Sequence, residues 1–186
     1  DALGPLRAAD AGGVEPDAVA SQLVVAVAVG SDIMDEIARL RALRELIKRV
    51  LCAAGVASPA PAWIHARGAI STLSLRDPMT NALRATNQTI ASVLGGADAI
   101  TTTAFDALAD KPGSMGARLA RNTQSVLALE SHLARVADPA AGSYHLEQRT
   151  QDLARSAWEH VRVIEARGGA AACMLDGWWH EQLDAA

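Results

Sequence analysis

The sequence is poor in aromatic residues and carries little net charge. Only 3% of its 186 residues are aromatic although half are hydrophobic, so alanine, valine and leucine supply most of the apolar side chains. Such a composition excludes a disordered tail, and small aliphatic residues without rings favour helices packed closely on a sheet. A chain of this length suits one domain with a sizeable core. The formal net charge of −4 argues against a nucleic-acid partner.

Cysteine pairs, metal-ligand spacings and long apolar runs are also missing. Cys52 and Cys173 lie far apart, and neither belongs to a CxxC or a Cys/His spacing, which argues against a disulfide framework and a zinc site. The longest apolar run, residues 23–30, is well under half a membrane span. A basic segment followed by an apolar one, as in secretory signals, is not found. We therefore expect a cytoplasmic protein without a metal site or a membrane partner.

The common nucleotide and nucleophile motifs are absent as well. The sequence has no GxGxxG after a predicted strand and no GxxxxGK[ST], and it has no GxSxG elbow. The first residue is aspartate, so we treat the chain as a candidate part of a longer one. Because these motifs are absent, any inference about function must start from the order of the predicted strands and helices.

Alternating strand and helix signals predict an α/β fold. Predicted parallel strands cover residues 23–29, 63–65 and 97–103, with a fourth short strand considered at 135–137. The first of these is a β-branched run without alternation, which predicts burial on both faces. Predicted helices follow Ser31-Asp32, Asp77-Pro78 and Ser114, and a last long one spans about 147–167. The alternation implies a parallel sheet, either a small doubly wound one or about half of a (β/α)8 barrel.

Two places carry polar side chains that chemistry could use. His65 ends the second predicted strand, and parallel α/β folds place their chemistry at the carboxyl ends of strands. The alternative is a histidine that bonds to a neighbouring loop. Residues 121–124, Arg-Asn-Thr-Gln, form a polar run inside a predicted helix. We expect these side chains to support a neighbouring loop rather than to contact a ligand.

Several segments of the sequence form recognisable motifs, namely Glu36–Arg44, Arg76–Pro78 with Asn81, Leu83, Arg84 and Thr86, Gly95–Thr101, Phe105–Asp106, Ala120–Gln124, Glu130–Ser143 and Glu165–Gly169. Together these segments resemble the acyl-CoA-binding barrel of methylmalonyl-CoA mutases. They follow in the order and spacing of the family over residues 14–170. The resemblance implies the later part of a (β/α)8 TIM barrel at 14–170, preceded by the end of a helix or a linker at 1–13. Residues 171–186 are predicted to form a C-terminal amphipathic helix.

The resemblance also implies a reaction and a cofactor. Members of the family interconvert methylmalonyl-CoA and succinyl-CoA by a radical 1,2-shift, with adenosylcobalamin as the radical source. The family's catalytic residues belong to segments that precede residue 1, so no catalytic residue is expected in this chain. His65 matches a histidine near the substrate channel, and the CoA-contacting arginine and serine are replaced by Gln22 and Val24. Glutamine cannot replace the charge of a guanidinium on a phosphate.

Three further positions, implied by the resemblance to face the cofactor, are also substituted. Ile70 replaces a glycine that lets the corrin approach, Ala107 replaces a glutamate, and Asp110 replaces a small apolar residue. Scaffold motifs with lost ligand contacts resemble the small subunit of the two-subunit enzymes. We therefore expect a non-catalytic chain that binds no cobalamin, with the remainder of the barrel or a cobalamin-binding large subunit as partner and acyl-CoA as ligand.

Two alternatives remain open at this point. The chain could belong to an active cobalamin-dependent mutase with altered acyl specificity, in which Gln22 serves another acyl group or CoA contact. It could instead be a stand-alone half-barrel binding module or fragment, whose open sheet edge would then be exposed. Cobalamin retained on purification would separate an active mutase from a non-catalytic subunit.

Overall fold

The computed structural model describes residues 3–56 and 59–184 and contains a three-stranded parallel sheet. Its strands are β1 (Val24–Val29), β2 (Trp63–Gly68) and β3 (Ala99–Thr101). The helices are α1 (Leu3–Ala11), α2 (Pro16–Ser21), α3 (Ile33–Ala53), α4 (Thr80–Leu94), α5 (Ser114–Leu129), α6 (Tyr144–Ala166), α7 (Ala170–Leu175) and α8 (Trp178–Asp184). Single 3-10 turns occur at Ile70–Thr72 and Leu133–Arg135. No helix in the described ranges has both the length and the apolar character to cross a membrane.

The sheet confirms the three predicted parallel strands, in the order β1-β2-β3. Val24 pairs with Trp63 across the first ladder, and His65 pairs with Ala99 across the second. The second strand extends three residues beyond its predicted end, to Gly68, and the third is shorter than predicted. His65 therefore lies within β2 rather than at its carboxyl end.

Helix α3 forms where its local signals predict it. Asp32 Oδ1 accepts a hydrogen bond from Asp35 N at 3.2 Å, which satisfies one free amide of the first turn. Asp35 and Glu36 lie in that turn, where the helix dipole favours acidic groups. Leu40 and Leu51 are fully buried, as the periodic apolar spacing of the helix predicts. Gly55, with a φ of +93°, follows the end of the helix in a left-handed conformation.

Helix α4 begins later than the Asp77-Pro78 signal predicts. Its first residue is Thr80, and Pro78 belongs to the preceding turn, where its carbonyl accepts a hydrogen bond from Asn81 N at 3.0 Å. The carboxylate of Asp77 accepts a hydrogen bond from the Thr80 hydroxyl. Asp77 thus stabilises the turn that leads into the helix, which explains why its sequence resembles an N-cap.

The fourth strand considered at 135–137 is not formed among the described residues. Helix α5 ends at Leu129, and a 3-10 turn at Leu133–Arg135 follows. His132 and Asp138, on either side of this segment, have φ values of +55° and +43°. Left-handed residues on both sides reverse the chain there, and an extended ladder cannot continue through them. Helix α6 then starts at Tyr144, three residues earlier than predicted.

The C-terminal segment forms two short helices where the sequence predicts one helix over 171–186. Gly177, with a φ of +82°, separates α7 from α8, and a left-handed residue ends a right-handed helix. Residues 185 and 186 lie outside the described part. The rings of Trp178 and Trp179 meet edge to face, with centroids 5.3 Å apart.

The chain divides into two compact units. The helical unit comprises the described parts of residues 1–23, 43–62 and 152–186, and the sheet unit comprises residues 24–42 and 63–151. In the helical unit, Cys173 is fully buried whereas Cys52 is exposed. In the sheet unit, Ile64 and Val29 are fully buried. The predicted boundaries at 13/14 and 170/171 stay a prediction.

Candidate functional site

One face of the sheet is exposed, although the sequence of β1 predicts burial on both faces. Ile64 and Ala66 of β2 are fully buried on the face covered by helices. On the other face, Val24 and Trp63 expose 60% and 54% of their surface. We call this surface the open sheet face and define it by Val24, Ala26, Ala28, Trp63, His65, Arg67, Ala99 and Thr101. The prediction of two buried faces is wrong, because alternate residues of β1 are exposed and its sequence pattern does not record which elements cover a strand.

His65 is held on the open sheet face by a neighbouring strand. Its Nε2 lies 2.8 Å from Oγ1 of Thr101 on β3, so the hydrogen bond joins two strands and not a strand and a loop. Val24, another predicted channel residue, lies on the same face. Gln22 is exposed in the segment between α2 and β1, which belongs to the helical unit. The structure therefore brings two of the three predicted channel residues onto one surface.

Arg67 is a site residue that the sequence reasoning missed. It follows His65 by two positions in β2 and pairs in register with Ala28 and Thr101. Residues two apart in a strand share a face, so the spacing was the signal. The Arg67 side chain is exposed. His65, Arg67 and Thr101 thus form a polar cluster on a face that is otherwise made of aliphatic residues and Trp63.

A buried hydrogen-bond network supports the carboxyl end of the sheet. Thr89 Oγ1 and Thr102 Oγ1 are 2.8 Å apart, and Gln124 Nε2 donates to Thr102 Oγ1 at 3.1 Å. Thr103 Oγ1 donates to the Gly68 carbonyl at 2.8 Å. Gln124 of the polar run 121–124 therefore supports neighbouring structure, as predicted. Arg121 and Asn122 of the same run are exposed.

The loops that follow β2 and β3 are joined by one buried amide. Asn81 is 1% exposed, its Oδ1 accepts from Ser74 N at 2.9 Å, and its Nδ2 donates to the Phe105 carbonyl at 3.0 Å. The loop after β3 is further fixed by Asp106, whose Oδ2 accepts from Gly113 N at 2.6 Å. These bonds fix the backbone at the carboxyl edge, where parallel sheets place their ligands.

The predicted cofactor-facing residues lie along this same edge. Ile70 starts the turn after β2 and exposes 56% of its surface, while Ala107 and Asp110 lie in the loop after β3. Ala107 is half-buried and Asp110 is exposed. The described residues contain no group of three or more His, Cys, Asp or Glu side chains able to hold a metal ion.

Two arginines link the first halves of α3 and α6 within the sheet unit. Arg149 binds Asp35 through both Nε and NH2, at 2.7 and 2.9 Å, and this hydrogen bonding lowers the pKa of Asp35 below its ordinary value. Arg41 NH2 donates to Glu147 Oε1 at 2.9 Å and to Asp138 Oδ2 at 3.1 Å. The bond from Arg41, followed by one from Gly142 N, lowers the pKa of Glu147. These pairs lie on α3, on α6 and in the turn before α6, and none involves a residue of the open sheet face.

The family model described as methylmalonyl-CoA mutase matches residues 1–186. The chain belongs to the methylmalonyl-CoA mutase family. This assignment confirms the resemblance that the motifs indicated.

Curated relatives of the methylmalonyl-CoA mutase family align over most of the chain. The methylmalonyl-CoA mutase small subunit of Streptomyces virginiae is 38% identical over 172 residues, which cover 92% of this chain and 28% of the relative. The probable small subunit of Mycobacterium tuberculosis H37Rv is 39% identical over 153 residues, 80% of this chain and 25% of the relative. The large subunit of Propionibacterium freudenreichii subsp. shermanii is 32% identical over 179 residues, 95% and 25% of the two chains. The chain thus spans about a quarter of their length.

Ile70 does not fit the close contact with a corrin ring that the resemblance implies at its position. Ile70 presents a branched, exposed side chain at the carboxyl edge, where a close approach of a flat macrocycle needs a small residue. Two side-chain oxygens at this edge, Gln88 Oε1 and Asp106 Oδ1, are buried without a partner, but they face Gly68 and Gly116 inside the fold.

Proposed function

We propose that this chain forms the later part of the (β/α)8 barrel of a methylmalonyl-CoA mutase-type isomerase and acts as its non-catalytic, small-subunit-like part. The observation that carries the proposal is the open sheet face. In a closed barrel the inner face of each strand is covered by the other strands, and its side chains line the interior. A parallel sheet with helices on one face and mostly aliphatic residues on the other fits this arrangement.

The small-subunit role is supported by the comparisons and by the residues at the edge. The two relatives named as small subunits are 38% and 39% identical to the chain, whereas the one named as a large subunit is 32% identical. Gln22 lacks the charge, and Val24 lacks the hydroxyl group, that the resemblance implies for CoA contacts. Ile70, Ala107 and Asp110 depart from the family at cofactor positions.

In this proposal the chain shapes a channel and excludes water, and it supplies no catalytic group. Aliphatic residues of the open sheet face surround the acyl chain, and His65, oriented by Thr101, provides a polar group near the thioester. Adenosylcobalamin, bound by a large subunit, supplies the radical chemistry of the complex. A closed apolar channel protects reactive intermediates from water. We place the complex in the cytoplasm, with acyl-CoA as its ligand.

The test compares the full-length protein that contains this chain, alone and with its candidate cobalamin-binding subunit. We expect methylmalonyl-CoA and succinyl-CoA to interconvert only in the mixture. A spectroscopic titration of the protein alone with adenosylcobalamin should give no saturable shift. Turnover or a tight stoichiometric cobalamin complex with the protein alone would favour an active mutase instead.

A matched pair of variants tests the open sheet face itself. Val24→Asp places a charge on that face, where barrel closure would desolvate it, and should abolish activity of the mixture. Val136→Asp makes the same change at a valine that is equally exposed, at 62%, but lies outside the face. It should leave activity near that of the wild type. Equal effects of the two variants would contradict the barrel arrangement.

A further inference from the structure

Arg67 carries the positive charge of the open sheet face. It pairs with Ala28 on one side and with Thr101 on the other, so its neighbours across the sheet are small. Among the described residues, its guanidinium has no hydrogen bond or ion pair. His65, two residues earlier, has its Nε2 bonded to Thr101 and does not neutralise the arginine.

Three carboxylates near the ends of the strands are bonded elsewhere. Asp98 Oδ2 accepts from Ile64 N at 2.8 Å, at the amino end of β3. Glu36 accepts from Gly30 N at 2.9 Å and from Arg39 Nε at 2.8 Å. Asp106 accepts from Gly113 N. None of these three carboxylates is therefore paired with Arg67.

A guanidinium inside a closed barrel requires an anion. Water solvates Arg67 while the face is open, but closure removes that water, and an unpaired buried charge is strongly unfavourable. Arginine binds carboxylate and phosphate through two parallel N–H···O bonds, which gives it high specificity for these groups. The small side chains of Ala28 and Thr101 leave space beside it for such a group.

We propose that Arg67 is an anion-binding residue that takes a carboxylate or phosphate group of an acyl-CoA on the open sheet face. This inference rests on the proposed function, since it requires that the face becomes the inside of a barrel. It adds a ligand contact at a position that sequence reasoning had not selected.

The experiment measures binding of two ligands to the full-length protein with its partner subunit. Methylmalonyl-CoA and propionyl-CoA differ by one carboxylate, and calorimetry gives the affinity for each. We expect Arg67→Gln to weaken methylmalonyl-CoA binding about 10- to 100-fold, the loss typical of a charge-assisted hydrogen bond. An acyl carboxylate at Arg67 predicts unchanged propionyl-CoA affinity, whereas a CoA phosphate predicts equal losses for both ligands.

Two further variants serve as controls. Arg67→Lys keeps the charge but loses the two-bond geometry, so its affinity should lie between those of the wild type and Arg67→Gln. Arg118→Gln removes an exposed arginine of α5 and should change neither affinity.

Three outcomes would overturn the inference. In the first, Arg67→Gln binds both ligands like the wild type. In the second, the variant melts at a lower temperature without ligand, or fails to fold, because a protein carboxylate is the true counter-ion. In the third, the wild-type complex binds neither ligand, and the proposed function fails together with the inference.

Discussion

The carboxylate of Asp106 and the missing side chain of Gly116 depend on each other. A Cβ built at position 116 would lie 1.9 Å from Asp106 Oδ1 and 2.5 Å from its Cγ. Gly116 is inside α5, where helix propensity alone favours alanine over glycine by about 1 kcal/mol. The close approach of the carboxylate therefore determines the residue here, and propensity does not.

We expect Gly116→Ala to lower the free energy of unfolding by about 1–3 kcal/mol, because the added methyl group displaces Asp106. Urea denaturation of the full-length protein measures the change. Ser125→Ala, at an exposed position of the same helix, should change the stability by less than about 0.5 kcal/mol. The double variant Asp106→Ala/Gly116→Ala should recover part of the loss. If Gly116→Ala raised the stability instead, the loop that holds Asp106 would move aside without an energetic penalty.

At the scale of whole elements, ion pairs join the first halves of α3 and α6. Arg149 lowers the pKa of Asp35 below its ordinary value of 3.8, and Arg41 with the Gly142 amide lowers that of Glu147 below 4.5. A depressed carboxyl pKa contributes stability that is complete above the ordinary value. This contribution is lost as the pH falls through the lower, folded-state value.

The full-length protein should therefore lose thermal stability on acidification below about pH 4.5, and Glu147→Gln should reduce this loss. The glutamine cannot be protonated, so one source of the pH dependence disappears, at the cost of lower stability near neutrality. Melting curves from about pH 6 to about pH 3 provide the measurement. Glu159→Gln, at an exposed position of the same helix, is the control. If the melting temperatures of the wild type and of Glu147→Gln fell equally at low pH, Glu147 would not contribute to the loss of stability.

The elements with local signals could be predicted from the sequence, and those that depend on distant partners could not. Helix α3 follows from the Asp32 cap and its apolar spacing, because both act within a few residues. The exposure of Val24 depends on which strands cover it, and no local pattern records that. The left-handed angle at Asp138 likewise replaces a strand by a reversal. At the site, His65 was selected for its place in the chain, while Arg67 was missed because the second strand was predicted to end at residue 65.

At the scale of the whole molecule, an open sheet face and two outer strands predict association. In the described sheet, β1 and β3 each have one edge that is not paired with another strand. Three strands cannot close a barrel that requires eight. The 186-residue chain by itself should therefore be stable only as an oligomer or beside the rest of its barrel.

Sedimentation of the isolated chain at micromolar concentration tests this expectation. Val24→Lys, on the open sheet face, should reduce the association, because a charge on that face disfavours its burial. Val136→Lys, equally exposed but outside the face, should sediment like the wild type. A compact monomer with cooperative unfolding would show that these residues close their own core, and the half-barrel interpretation would fail.

The unequal burial of the two cysteines allows opening of the helical unit to be measured by thiol labelling. Cys52 is exposed, while Cys173 is fully buried in the same compact unit. A maleimide should modify the first thiol at once and the second only as often as the helical unit opens. Mass spectrometry then counts singly and doubly modified molecules over time. Modification of Cys52 gives the intrinsic reaction rate of the reagent. Modification of Cys173 reports how often the helical unit opens, and no engineered label is needed.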